Sequence, residues 1–202
     1  MTRILKKSPI QGMSLIETIV AVTILAAAIV GPMTLAAQSL KASRYARSEL
    51  IATHLAEEGV EVIHNIRDNN ITNYPTGSWL ANIFSSTTPA CNASCAVDVT
   101  QGDATLVWAT TAIIPCVPNC LVLGQVYYNP KTGLYKQSAT PPVSPWVATQ
   151  FSRAVTVEGI DDPINPLRQA RVTVVVSYPG YGSIPRNITI VDDIYNWFPP
   201  LH

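Results

Sequence analysis

Glu17 is the only charged side chain between Met13 and Ala37, a run of 25 residues that is otherwise apolar, small or hydroxylic. About 20 such residues cross a bilayer as a helix. A charged side chain within such a span costs roughly 2.5–3.5 kcal/mol at the centre and less towards an edge. An acid retained there calls for a positive partner. The run itself holds none; the nearest cations along the chain are Arg3, Lys6 and Lys7 on one side and Lys41 on the other. The chemistry open to Glu17 is thus an ion pair with a group supplied from outside the run.

The second reactive set is four cysteines, in two C-x3-C pairs, Cys91/Cys95 and Cys116/Cys120. Four thiols suit zinc, but no histidine lies near either pair in sequence. A chain that starts with a basic flank and an apolar span exports its C-terminal part, to a compartment where disulfides persist. Disulfides are the expectation. Three connectivities are open to four cysteines, and spacing does not choose among them.

Other chemistry-bearing residues read as ordinary surface. His54, Glu57, Glu58 and Glu61 fall on one predicted helix, where His54 and Glu58 share a face. A solvated helix surface is the simpler reading than a metal cluster. Asp161-Asp162 and Asp192-Asp193 are expected as turn formers rather than calcium ligands. Trp79, Trp108, Trp146 and Trp197 are expected in packing rather than in a sugar-binding patch. Asn70, Asn92 and Asn187 each begin a glycosylation triplet, a pattern frequent by chance. No G-x-S-x-G, H-E-x-x-H, P-loop or Gly-rich nucleotide turn occurs. A non-enzymatic protein without a cofactor or metal is expected.

The elements that must carry these residues begin with a basic leader, residues 1–12, closed by Gly12. Apolar residues 13–37 follow, and the pattern then turns amphipathic without a break. Ile51, Leu55, Gly59, Val62 and Ile66 line one helical face. The expected helix covers residues 13–67 and stops at Asp68-Asn69-Asn70, a rod of roughly 80 Å at 1.5 Å per residue. Gly31-Pro32 is expected to break or loosen it, because proline lacks a donor and crowds the preceding turn.

Residues 68–202 form the expected head. An irregular connection over 68–95 leads to strands at 96–100 and 105–114 around Gln101-Gly102-Asp103. Strands at 121–128 and 134–137 flank Asn129-Pro130-Lys131-Thr132-Gly133. A Pro-rich loop spans 140–145. Residues 151–158, 170–178 and 187–191 alternate as half-buried strands do. Val172, Val174 and Val176 share one face, and Thr173, Val175 and Ser177 the other. One long helix followed by strands and turns predicts an α+β fold, with an antiparallel sheet lying on the helix.

The 202 residues suffice for one domain plus an anchor. Basic and acidic side chains balance at 13 each, but three of the basic ones lie in the leader, which leaves 10 against 13, a net of −3. Such a balance lacks the basic field that nucleic acid binding needs. The 16 prolines and the many Thr, Val and Tyr residues after the helix suit strands and turns.

The N-terminus resembles a type IV pilin precursor, the class III signal peptide. The resemblance rests on the basic leader, Gly12, then Met13-Ser14-Leu15-Ile16, then Glu17 and the long apolar run; methionine stands at the position where phenylalanine is usual. More faintly, 152–158, 171–177, 188–191 and Asn196-Trp197 resemble the heads of minor pilins and pseudopilins. The family resemblance implies a pilin fold and cleavage between Gly12 and Met13 by a prepilin peptidase. It also implies methylation of the Met13 amine and pairing of that amine with Glu17 of a neighbouring subunit. The implied partners are that peptidase, other pilin or pseudopilin subunits and an inner-membrane assembly platform. The implied location is a single pass through the cytoplasmic membrane, head outward, followed by a filament at the cell surface.

An ordinary secretory signal, cut near Ala26-Ala27-Ala28, conflicts with Glu17 and with the helical pattern that continues past Ala37. The expected role is that of a structural subunit, a minor pilin or minor pseudopilin. The alternative is a surface adhesin or binding protein that a pilin-like anchor delivers.

Overall fold

A computed structural model describes residues 12, 14–73, 78–84, 91–101, 112–116, 120, 124–138, 140–160, 168–180 and 184–197. The chain divides into two units, Met1–Arg44 and Tyr45–His202, and one helix, α1 (Leu15–Asn73), runs through both. The architecture is α+β, consistent with the pilin fold.

In the first unit α1 starts at a local cap. Ser14 Oγ accepts a hydrogen bond from the Glu17 backbone N–H at 3.3 Å, and Ser14-Leu15-Ile16-Glu17 is the S-x-x-E pattern of a capping box. Glu17 thus stands in the first turn, where a carboxylate favours the positive end of the helix dipole. The helix runs through Gly31 and Pro32 as one element. A proline deletes one backbone donor only, and the turns on either side hold the remaining bonds.

In the second unit α1 buries Ala52, Leu55, Ala56, Val62, Ile63, Ile66 and Ile71. The helix ends at Asn73, beyond the expected stop. The extra turns are explained by burial of Ile71 and by Asn70, whose amide donates to the carbonyls of Trp79 (3.2 Å) and Ala81 (2.9 Å). Asparagine here ties the helix to the next segment rather than ending it.

Among the described residues seven strands form one antiparallel sheet: β1 (Cys95–Val97), β2 (Ile113–Pro115), β3 (Gln125–Tyr128), β4 (Tyr135–Gln137), β5 (Val147–Ile160), β6 (Gln169–Pro179) and β7 (Pro185–Tyr195). β5 is the axis. Along one edge it pairs with β6, and β6 with β7; along the other it pairs first with β3, which carries β4, and then with β1, which carries β2. Alternation in the three long strands puts Val155, Val157, Val172, Val174, Val176 and Ile194 in the core. Their neighbours Thr156, Thr173 and Val175 turn to the opposite face, as the sequence pattern predicts.

The expected strand over 96–100 is shorter. β1 ends at Val97 and a 3-10 turn, Val99–Gln101, replaces its second half. Asp98 explains the change: its Oδ1 accepts from the backbone N–H of Thr100 (3.0 Å) and from the Thr100 hydroxyl (2.7 Å), an Asx turn that competes with the ladder. Gly102, Asp103 and most of the strand expected over 105–114 lie outside the described residues, as do residues 121–123. The turn between β3 and β4 follows expectation, with Gly133 at a φ of 76° that favours glycine.

Candidate functional site

The candidate site is the apolar half of α1 with its single acid. From Leu15 to Leu40 the large side chains are exposed on every side of the helix; Leu15 is 77% and Met33 72% accessible. A helix apolar all round belongs in a membrane or among other helices. Among the described residues one helix is long and apolar enough to cross a membrane, by length and composition.

Three of its hydroxyls are satisfied internally. Thr18, Thr23 and Thr34 each donate the hydroxyl to the carbonyl three residues back, at 2.8 Å. Such bonds remove the penalty of a bare hydroxyl in hydrocarbon. The Thr34 bond falls on the Gly31 carbonyl, beside Pro32. Glu17 is exposed, and Gly12 is exposed just ahead of the Ser14 cap. Met13 and the leader residues before Gly12 lie outside the described residues.

The cysteines close locally, Cys91 with Cys95 and Cys116 with Cys120, which selects one of the three connectivities. Both cysteines of the first pair are in the main core. The second pair packs with Ala96, Ile114 and Ala154 in a separate cluster. Cys95 opens β1 opposite Pro115, the last residue of β2, so the two staples flank one strand pair.

Sequence reading missed the centre of the head. Arg153 lies on the inward face of β5 and is 1% exposed. Its Nη1 donates to Glu58 Oε2 (2.7 Å) and to the Leu55 carbonyl (2.8 Å), and its Nη2 to the Val97 carbonyl (2.9 Å). Its Nε donates to Gln137 Oε1 (2.8 Å), while Gln137 Nε2 donates to the carbonyls of Gly124 and Arg153, both at 2.9 Å. Burial lowers the guanidinium pKa from its ordinary value, and Glu58 opposes that shift. One residue therefore joins α1, β1, β4 and β5. The signal was present in the alternation: Arg153 shares its face with Phe151, Val155 and Val157.

Glu58 is thus a partner of the core and not solvated surface. His54 Nδ1 meets Glu57 Oε2 at 3.1 Å, an exposed pair one turn apart. Asp192 and Asp193 sit within β7, not in a turn. Asp192 Oδ2 is 2.6 Å from His64 Nε2 on α1, whereas Asp193 meets Arg171 Nε at 2.9 Å on the opposite face. Successive strand residues diverge, so the two carboxylates do not converge on one ion. No group of three metal-ligating side chains occurs among the described residues. Asp161 and Asp162 lie outside them.

The described tryptophans occupy three different settings. Trp79 is core, Trp146 lies under Lys136 Nζ at 4.5 Å, and Trp197 is 59% exposed; Trp108 lies outside the described residues. Asn70 is buried, while Asn92 and Asn187 are exposed. No family model, no curated protein and no solved structure matches the chain.

Proposed function

We propose that the chain is a structural subunit of a type IV pilus-like filament, a minor pilin or minor pseudopilin. The observation that carries this reading is the exposed apolar half of α1 with one carboxylate in its first turn. A helix of that kind is unstable in water and is completed by lipid before assembly and by other helices after it.

The reaction expected at the N-terminus is hydrolysis of the Gly12–Met13 amide by a prepilin peptidase. Water adds across the bond, giving a Gly12 carboxylate and a Met13 amine. The amine then displaces a thioether from a sulfonium methyl donor, gaining one methyl group and losing one proton. Before cleavage, Arg3, Lys6 and Lys7 hold the N-terminus at the cytoplasmic face, and the head faces outward. After cleavage the cationic amine of one subunit meets Glu17 of its neighbour. In a core with little water their attraction rises steeply, offset in part by desolvation. Ser14 supports the arrangement because its cap fixes the turn on which Glu17 stands.

Mass analysis of the intact protein from its native membrane tests this reading. The mature chain is expected to begin at Met13 and to carry one added methyl group. Retention of the leader, or a start beyond Glu17, would overturn it.

A further inference from the structure

We propose that the face of the sheet turned away from α1 holds a binding site for a neutral saccharide, beside the Cys116–Cys120 disulfide. The register places Ser152 opposite Ser177, and Ser177 opposite Asn187. Their sequence neighbours Arg153, Val176 and Ile188 pack inward, so these three side chains point outward together. Strands lie about 4.8 Å apart, which makes a polar row roughly 10 Å long across β5, β6 and β7. None of the three side chains hydrogen-bonds to another described residue.

The row borders a cavity of about 400 Å³, within the size range of small-ligand pockets. Ala154 and Val175, one step along the same strands, give it a low apolar floor. The Cys116–Cys120 disulfide forms a wall. Ser94 braces that wall: a disulfide sulfur has no proton to give, so the Ser94 hydroxyl donates to Cys120 Sγ, at 2.9 Å.

The lining selects the ligand chemistry. Among the described residues of the lining Arg153 alone is ionisable, and its guanidinium is spent on Glu58, Leu55, Val97 and Gln137 on the other face. An ionic ligand would therefore find no counter-charge. Two hydroxyls and a carboxamide each donate and accept, which complements groups that do both, as sugar hydroxyls do. The apolar floor suits the C–H face of a sugar ring. A peptide strand is less suited, because it binds along a backbone edge and this site is the side-chain face of paired strands. The site lies within the globular unit and stands whether or not the chain enters a filament.

The test uses the full chain in an amine oxide detergent, since glycoside detergents would compete. Saturation-transfer NMR and calorimetry would be run with glucose, galactose, mannose, N-acetylglucosamine and their common disaccharides. At least one is expected to bind with a dissociation constant of about 1 mM or tighter. Ser177→Ala and Asn187→Ala should each weaken it roughly two- to tenfold, the worth of one hydrogen bond. Thr173→Ala, on the same face but outside the cavity, should leave it unchanged, and thermal melts check folding. Should Ser177→Ala fail to fold, Asn187→Ala on the outer strand carries the test. Absence of binding by the whole panel at about 10 mM, binding indifferent to the Ser177 and Asn187 changes, or tighter binding of glycylglycine would each overturn the proposal.

Discussion

Arg153 Nη1 lies 2.7 Å from Glu58 Oε2, with the arginine side chain 1% and the glutamate 34% exposed. The pair links the middle of β5 to the exposed rim of α1. An arginine in this position is tolerated only because each of its nitrogens has an acceptor and Glu58 balances its charge. Close packing around it adds a second constraint. A Cβ placed on Gly59 would lie 3.0 Å from Val174 Cγ1 and 3.4 Å from Arg153 Cδ. The helix approaches the sheet at the residue beside Glu58, and glycine permits that approach.

Glu58→Gln should lower stability by about 1–3 kcal/mol, because the buried guanidinium keeps its neutral acceptors but loses its counter-charge. Arg153→Ala should cost more, since it strands Glu58, Gln137 and the Val97 carbonyl and leaves a cavity. Thermal and urea unfolding of the two variants, followed by circular dichroism, gives the order. An Arg153→Ala protein as stable as the parent would contradict the network's role.

Gly59→Val should destabilise by about 1–3 kcal/mol, the usual cost of overpacking a filled core. Helix propensity favours valine over glycine by only a few tenths of a kcal/mol and does not offset it. The companion change Val174→Ala in the Gly59→Val background should restore part of the loss by making room. A melting temperature that falls further in the double variant would exclude steric contact as the cause.

Acid stability should depend on Arg171 and Asp193. The hydrogen bond from Arg171 holds the Asp193 carboxyl below its ordinary pKa, and Asp193 in turn raises that of Arg171. A carboxylate whose folded pKa is depressed contributes stability above its unfolded pKa and loses it as pH falls through the folded value. The parent should therefore lose stability on acidification from about pH 4 downward. Arg171→Leu should flatten that limb, while its stability near neutral pH falls slightly. Unfolding midpoints measured across the acid range would reveal an unchanged slope if the pair is irrelevant.

On the proposed filament role, Glu17→Leu should leave the protein in the membrane but reduce its recovery in sheared filaments at least tenfold, the effect of roughly 1.4 kcal/mol on assembly. Glu17→Asp, which keeps charge but shortens its reach, should fall between. Ser14→Ala should have a smaller effect, by loosening the turn that carries Glu17 at a cost of about 1 kcal/mol. Immunodetection of the subunit in sheared and membrane fractions, at matched expression, measures all three. Parental filament levels of Glu17→Leu would remove the assembly role from that carboxylate.

Local patterns settled much of this protein before any contact was known. A membrane-length apolar run, a helical face through Ile51, Leu55, Gly59, Val62 and Ile66, and period-two strands around Val155, Val174 and Ile190 are properties of neighbouring residues, since helix and strand periodicity is set within a few positions. The turn ending at Gly133 was legible for the same reason. Tertiary structure decided what depends on partners far apart in sequence. Arg153 finds Glu58 95 residues away, and His64 finds Asp192 at a separation of 128. Asn70 became a tie to Trp79 and Ala81 instead of a stop. The cysteine pairing was open in sequence because each thiol has several candidates within reach of an unfolded chain. Only the folded backbone brings Cys91 beside Cys95 and Cys116 beside Cys120, with Cα atoms 4.7 Å and 4.9 Å apart. Polar groups behave this way generally: periodicity reports which face is buried, but a buried charge takes its meaning from the acceptors that the rest of the fold delivers to it.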